Sequence, residues 1–221
     1  AGPIPLKRKG GITLDMMDMQ KIIEFSEDSR VVRFQCGTTW TMLNDWLKPK
    51  GYDTGFLGPH GLMWAAVAGS ISLNTQGIGG PKYGQENENV TNLQVVLPTG
   101  EIVETGSLIN PAAKWYHRYT AGADLAGIFL GSAGAFGVIT EIALRTYPIR
   151  EFWDVLAYHF PDDDACCKAI NEMMAHELIV ELFEIPPYGI MEDLLPSITG
   201  GKDRSLGMVQ TEAYDEVVIE R

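Results

Sequence analysis

The chain has 221 residues, 45% apolar and 10% aromatic, with a mean hydropathy of −0.02, a profile that fits a globular chain of one to one and a half domains and excludes a disordered one. Its net charge of −12 is unevenly placed: residues 1–150 carry 13 Lys/Arg and 13 Asp/Glu, whereas residues 151–221 carry 4 and 16. The acidic balance excludes nucleic acid and an anionic membrane surface as default partners. The longest apolar run, Leu62 to Ala68, is far short of the roughly 20 residues that a transmembrane segment needs. The charge step predicts a domain boundary near Arg150.

In chain order, the opening AGPIPLKRKGG has neither an initiator Met nor an apolar core of a signal peptide, so a processed or excised piece and a cytoplasmic location are expected. GGITLD reads as a short strand, and Lys21–Phe25 with Val31–Cys36 as a hairpin around the polar turn SEDSR. Thr38 or Thr39 can cap a helix whose Trp40, Leu43 and Leu47 share one face and which Pro49 and Gly51 stop. Gly58 to Gly84 is rich in small residues and packs little core for its length. Leu93, Val95 and Leu97 alternate, Pro98-Thr99-Gly100 turns, and Glu101 to Thr105 returns as the partner strand. Asn110-Pro111 reads as a helix start carrying His117, and a second helix is expected from Asp124 to Leu130, ending at Gly131. VITEIALRTYP alternates as a strand with one buried face: Val138, Ile142 and Leu144 against Glu141 and Arg145. EFWDVLAYHF is a further strand. DDDACCKAINEMMAHELI is an amphipathic helix with acids in its first turn and Cys166, Ala169, Ile170, Met173 and Met174 as its apolar stripe.

Cys36, Cys166 and Cys167 make no structural pairing scheme, which favours a reducing compartment, and the four histidines form no zinc spacing. No metal site is expected. The acids 162–164 are read as helix caps. Three glycine-rich segments stand out: Gly58–Gly61, Ala68–Gly80 and Gly131–Gly137. Small residues let a ligand approach main-chain N–H groups, which bind anionic oxygens without basic side chains. A nicotinamide fingerprint is disfavoured, because Gly131, Gly134 and Gly137 have the wrong spacing and follow a helix, and no Walker lysine loop occurs.

The ordered series from Gly10 to Met19, Gln35 to Trp40, then PHG, VAGSISLNTQG, KYG, VVLPTGEIVETG and AGADLAGIFLGSAGAFGVITEIALRTYP resembles the PCMH-type FAD-binding domain of the vanillyl-alcohol oxidase superfamily. The resemblance is to the branch that holds D-lactate and glycolate dehydrogenases and alkylglycerone-phosphate synthase. It implies an α+β fold, with a mixed or antiparallel sheet flanked by helices, over residues 1–150 and the start of an α+β substrate cap over residues 151–221. It implies FAD as cofactor, with Pro59, His60, Gly61, Leu62, Ala65 and Ala66 beside the flavin. Gly69, Ser70, Leu73, Asn74, Thr75 and Gln76 would line the ring or pyrophosphate. Main-chain groups of Gly134, Ala135, Phe136, Gly137, Val138 and Ile139 would approach the adenine end. Where the family has GSEGTLGII this chain has GSAGAFGVI, so Ala133 replaces a glutamate anchor. The resemblance further implies that the principal pyrophosphate loop precedes residue 1 and most of the cap follows residue 221.

His60 is read as a polar loop residue beside the cofactor, His117 as a surface or packing residue, Tyr83 as packing near the flavin or in the core, and Trp40, Trp46 and Trp64 as packing residues. The catalytic residues are unassigned. The expected activity is oxidation of a 2-hydroxy acid such as D-lactate or glycolate by hydride transfer to flavin. The alternatives are a flavoenzyme like alkylglycerone-phosphate synthase, or a non-catalytic flavin-binding fragment or subunit. Partners would be a small-molecule substrate and either a homo-oligomer or a second chain supplying the loop and cap.

Overall fold

The computed structural model describes residues 12–56, 58, 63–77, 79–110, 112–119, 122–175, 182–184 and 205–213. The elements run β1 (Ile22–Ser26), β2 (Val31–Gln35), α1 (Trp40–Leu47), β3 (Tyr52–Asp53), α2 (Val67–Leu73), α3 (Gly80–Tyr83), β4 (Val90–Val96), β5 (Ile102–Glu104), α4 (Ala126–Phe129), β6 (Val138–Arg145), β7 (Tyr147–Pro148), β8 (Phe152–Phe160), α5 (Asp163–Ala175), β9 (Leu182–Glu184) and β10 (Ser205–Ala213). They fall into two units, residues 1–78 with 84–149, and residues 79–83 with 150–221.

The first unit is built on an antiparallel sheet of order β1-β2-β6-β4-β5, with β3 and β7 forming a separate pair. Register places Phe34, Ile142 and Leu93 side by side, and Val32, Leu144 and Val90 in the next row; all six are buried, so one face of the sheet is core. The other face carries Arg33, whose guanidinium donates to Glu141 at 2.7 Å and to Glu104 at 3.1 Å. That face is not fully solvated, in contrast to the single buried face expected of β6. At one end Trp115 covers Val31 and Ala143, leaving Ala143 1% exposed.

α1 forms where the sequence predicts it. Thr39 is the cap, its hydroxyl accepting the Met42 N–H at 3.2 Å, and Trp40, Leu43 and Leu47 are fully buried. The N–H groups of Trp40 and Thr41, which a helix start leaves without partners, donate to Ala65 O and Met63 O at 3.2 and 2.9 Å. This clamps residues 63–66 against the helix.

Four expectations are corrected. Ile12–Asp15 is not a strand; it has no ladder, and Ile12 and Leu14 are exposed. No helix follows Asn110, because the carbonyls it would use are taken by distant donors: Ser107 Oγ donates to Lys114 O, Ser107 N to His117 O, and Thr91 Oγ1 to Trp115 O. His117 therefore lies in an irregular segment, with its ring edge-on to that of Tyr119. Trp64 is 75% exposed and fills no core, whereas Trp40 is buried and Trp46 packs against Phe25 and under Lys50. The helix expected from Asp124 is shortened to α4.

In the second unit β8, β10 and β9 form an antiparallel sheet, Phe152 pairing with Ala213 and Phe160 with Ser205. Asp162 Oδ1 accepts the Ala165 N–H at 2.7 Å and so caps α5. Cys166 is buried and Ala169, Ile170 and Met173 are half-buried, but Met174 is 50% exposed and leaves the predicted stripe. None of the three cysteines is in a disulfide. Among the described residues no helix is long and apolar enough to cross a membrane.

Candidate functional site: a cavity walled by glycines

Four segments of the first unit line an open cavity of about 350 Å³: Leu14–Met17, the end of β2 at Cys36-Gly37, α2 with Ala66 before it, and the glycine loop leading into β6. Among the called site residues, Ala66, Gly69, Gly134, Gly137, Val138 and Ile139 line it. Ala65, Ser70, Leu73, Asn74, Thr75, Gln76, Ala135 and Phe136 do not belong to its lining. Pro59, His60, Gly61 and Leu62 lie outside the described residues.

Two of the walls are bonded together. The N–H groups of Gly131 and Ala133 donate to Ile71 O and Ser72 O at 2.9 and 2.8 Å, so the glycine loop takes up carbonyls at the C-terminal end of α2. Asn74 caps that helix in the left-handed conformation (φ 52°), and Gly131 (φ 69°) packs on it, where an added Cβ would lie 3.2 Å from the Asn74 Cβ. Ser70 and Thr75 serve the rear of α2. The Trp40 indole N–H donates to Ser70 Oγ at 3.0 Å, and Thr75 Oγ1 donates to Glu86 Oε2 at 2.8 Å.

Gly37 is fixed by close approach. A Cβ there would lie 2.5 Å from Met16 O and 2.9 Å from both Met17 O and Met19 O, and its own N–H donates to Met19 O at 2.7 Å. A Cβ on Gly137 would likewise meet Val95 Cγ1 at 2.6 Å and Val96 O at 2.8 Å. At Gly69 and Gly134 the same construction meets nothing within 4 Å. The former pair pack the walls; the latter pair leave main chain bare to a ligand. Burial pushes the Cys36 thiol above its usual range, which keeps this part of the wall neutral.

No charged side chain is among the lining residues, so an anionic ligand here would be held through main-chain N–H groups and apolar contact. These are features that fit one portion of an extended cofactor such as FAD. The sequence reading missed Leu14, Met16, Met17, Cys36, Gly37 and Ser72, and named Ala68 only as a neighbour of Gly69. Gln35 to Trp40 was a recognised motif, and the glycine within it was the available signal.

Residues 2–106 match the model of a family described as an FAD binding domain. By sequence, residues 2–106 are an FAD-binding domain. The chain is 33% identical over 171 residues to mitochondrial D-lactate dehydrogenase [cytochrome] of Arabidopsis thaliana, covering 77% of this chain and 28% of that protein. It is 28% identical to a D-lactate dehydrogenase of Anaerostipes hadrus, over 83% of this chain and 37% of the relative. Against glycolate oxidase subunit GlcD of Bacillus subtilis the identity is 27%, over 84% of this chain and 38% of the relative. The chain thus spans well under half the length of these curated relatives. Among solved structures, an alkyldihydroxyacetonephosphate synthase superposes with a TM-score of 0.72 at 20% identity, over 93% of this chain and 40% of that one, a likeness of fold. The FAD-binding domain's cofactor is FAD, and its glycine-walled cavity has the chemistry to take part of it.

Proposed function

We propose that this chain is the FAD-binding part of an oxidoreductase that oxidises a 2-hydroxy acid of the D-lactate or glycolate type. The observation that carries the reading is the apolar cavity between two glycine-containing walls, in a chain whose curated relatives are D-lactate dehydrogenases and a glycolate oxidase subunit. FAD, when bound, supplies an acceptor for two electrons and a proton. The residues of this chain bind and shield it: bare main chain at Gly69 and Gly134 meets the cofactor, while Leu14, Met16 and Val138 exclude water from it. Residues 1–150 are the cofactor domain and residues 151–221 begin the substrate cap. Substrate-binding and proton-abstracting groups are assigned to chain outside these residues, whether in a longer protein or in a second subunit. The test is anaerobic addition of D-lactate, then glycolate, to the flavin-loaded protein joined with its cap. Bleaching of the flavin absorbance is expected, and a flavin that no 2-hydroxy acid bleaches refutes the proposed substrate class.

A further inference from the structure

Glu86 is the one carboxyl among the largest fully buried side chains, 0% exposed, in a 3₁₀ turn just before β4. Its Oε2 accepts from Thr75 Oγ1 at 2.8 Å, while Oε1 has no hydrogen-bond partner, and Thr75 is joined to α2 by its own N–H, which donates to Ser70 O at 3.1 Å. Gly77 makes room for it, since an added Cβ at 77 would collide with Oε1 and lie 3.1 Å from Phe56 Cδ1. An apolar side chain would fill this space without the desolvation that a carboxyl with a bare oxygen carries. What the carboxyl does, and an apolar group could not, is hold Thr75, in the turn that follows α2 and is bonded to it at Ser70 O.

Those ties lie behind the cofactor cavity. Val67, Ser70 and Ile71 of α2 are buried, whereas Ala68, Gly69 and Ser72 line the cavity. Trp40 holds Ser70 from α1, and Glu86, from the turn before β4, holds Thr75. We propose that Glu86 is a positioning residue for the FAD site, fixing the C-terminal end of α2 through Thr75 so that Gly69 and Ser72 stand where the cofactor meets them. This rests on the cavity being the FAD site. Burial pushes the carboxyl up to about 7, so it is largely neutral on the acid side of neutrality and can then donate as well as accept.

The test compares FAD affinity, by fluorescence titration of flavin-free protein, and the visible circular dichroism of bound flavin in four variants. Glu86→Ala is expected to weaken FAD binding about tenfold and to alter the flavin dichroism. Glu86→Gln, whose amide oxygen still accepts from Thr75, is expected to stay within about threefold of wild type and to keep its spectrum. Val31→Ala, which thins the core under Trp115, supplies a comparable loss of thermal stability with unchanged affinity. The proposal is overturned if Glu86→Ala binds FAD like wild type, or if it loses no more affinity than Val31→Ala. Should Glu86→Ala fail to fold, Thr75→Val decides: about threefold weaker binding supports the tie, and unchanged binding overturns it. A wild-type protein that binds no FAD refutes the site itself, an outcome distinct from wild-type binding that is indifferent to residue 86.

Discussion

Replacing Gly69 by alanine should move the stability of the flavin-free protein and its affinity for FAD in opposite directions. Gly69 lies in the first turn of α2, its φ is not left-handed, and an added Cβ meets no atom within 4 Å. The methyl therefore brings no clash and gains helix propensity, about 0.5–1 kcal/mol after allowing for a position near the helix end. For a chain of this size that raises the midpoint of thermal unfolding by about 1–4 °C. The same residue lines the cavity, so a methyl there meets a ligand seated against the main chain. Overpacking of that kind costs about 1–3 kcal/mol, a roughly 5- to 150-fold larger FAD dissociation constant. Differential scanning fluorimetry of the flavin-free form and flavin fluorescence titration read the two quantities. A destabilised flavin-free protein would refute the open geometry at residue 69, and unchanged FAD affinity would refute the placement of the cofactor against α2.

Gly37→Ala should destabilise by about 1–3 kcal/mol, since its methyl is driven onto three main-chain carbonyls, and limited proteolysis should show residues 14–19 cut sooner. Because Glu86 titrates near 7 in the fold against 4.5 unfolded, the folded state holds its proton more tightly, and that stabilisation is complete below pH 4.5 and lost as pH rises through 7. At about 1.4 kcal/mol per pH unit the full span is about 3 kcal/mol, so urea midpoints of Glu86→Gln minus wild type should grow from pH 5 to pH 8; parallel curves would contradict it. The Arg118 hydrogen bonds hold Asp124 below the usual carboxylate range, a contribution present above its unfolded value and lost as pH falls through the depressed one. Asp124→Asn should accordingly cost about 1 kcal/mol at pH 7 and nothing once wild-type Asp124 is protonated, again by urea unfolding.

What local chemistry dictates was legible. Thr39 followed by Trp40, Leu43 and Leu47 specifies α1 from its cap to its buried stripe, and Val31–Gln35 and Val90–Glu104 announce their hairpins by alternation and turn residues. What distant partners decide was not. The residues after Asn110 carry a helix-start signal, but Ser107 and Thr91 take their carbonyls, and no pattern within 110–119 encodes those donors. Leu14 and Met16 have the spacing of a strand face, yet they form cavity wall. That Ser70 and Thr75 bond to Trp40 and Glu86 while Gly69 and Ser72 line the cavity follows from a seven-residue helix turning two faces to different neighbours, which the run of small residues does not encode. Glu86 itself, in the polar run QENEN, looks like any solvated acid until the fold closes over it.

The two hydrogen bonds from Gly131 and Ala133 to the end of α2 make the glycine loop and the helix one rigid frame that folding assembles before any ligand arrives. The entropy of ordering those segments is then charged to folding rather than to binding, so a cofactor seated as proposed would meet a pre-organised wall and keep more of its contact energy as affinity. A break in either bond would leave the same atoms lining the cavity and yet weaken binding, because each arrival would have to freeze the frame anew.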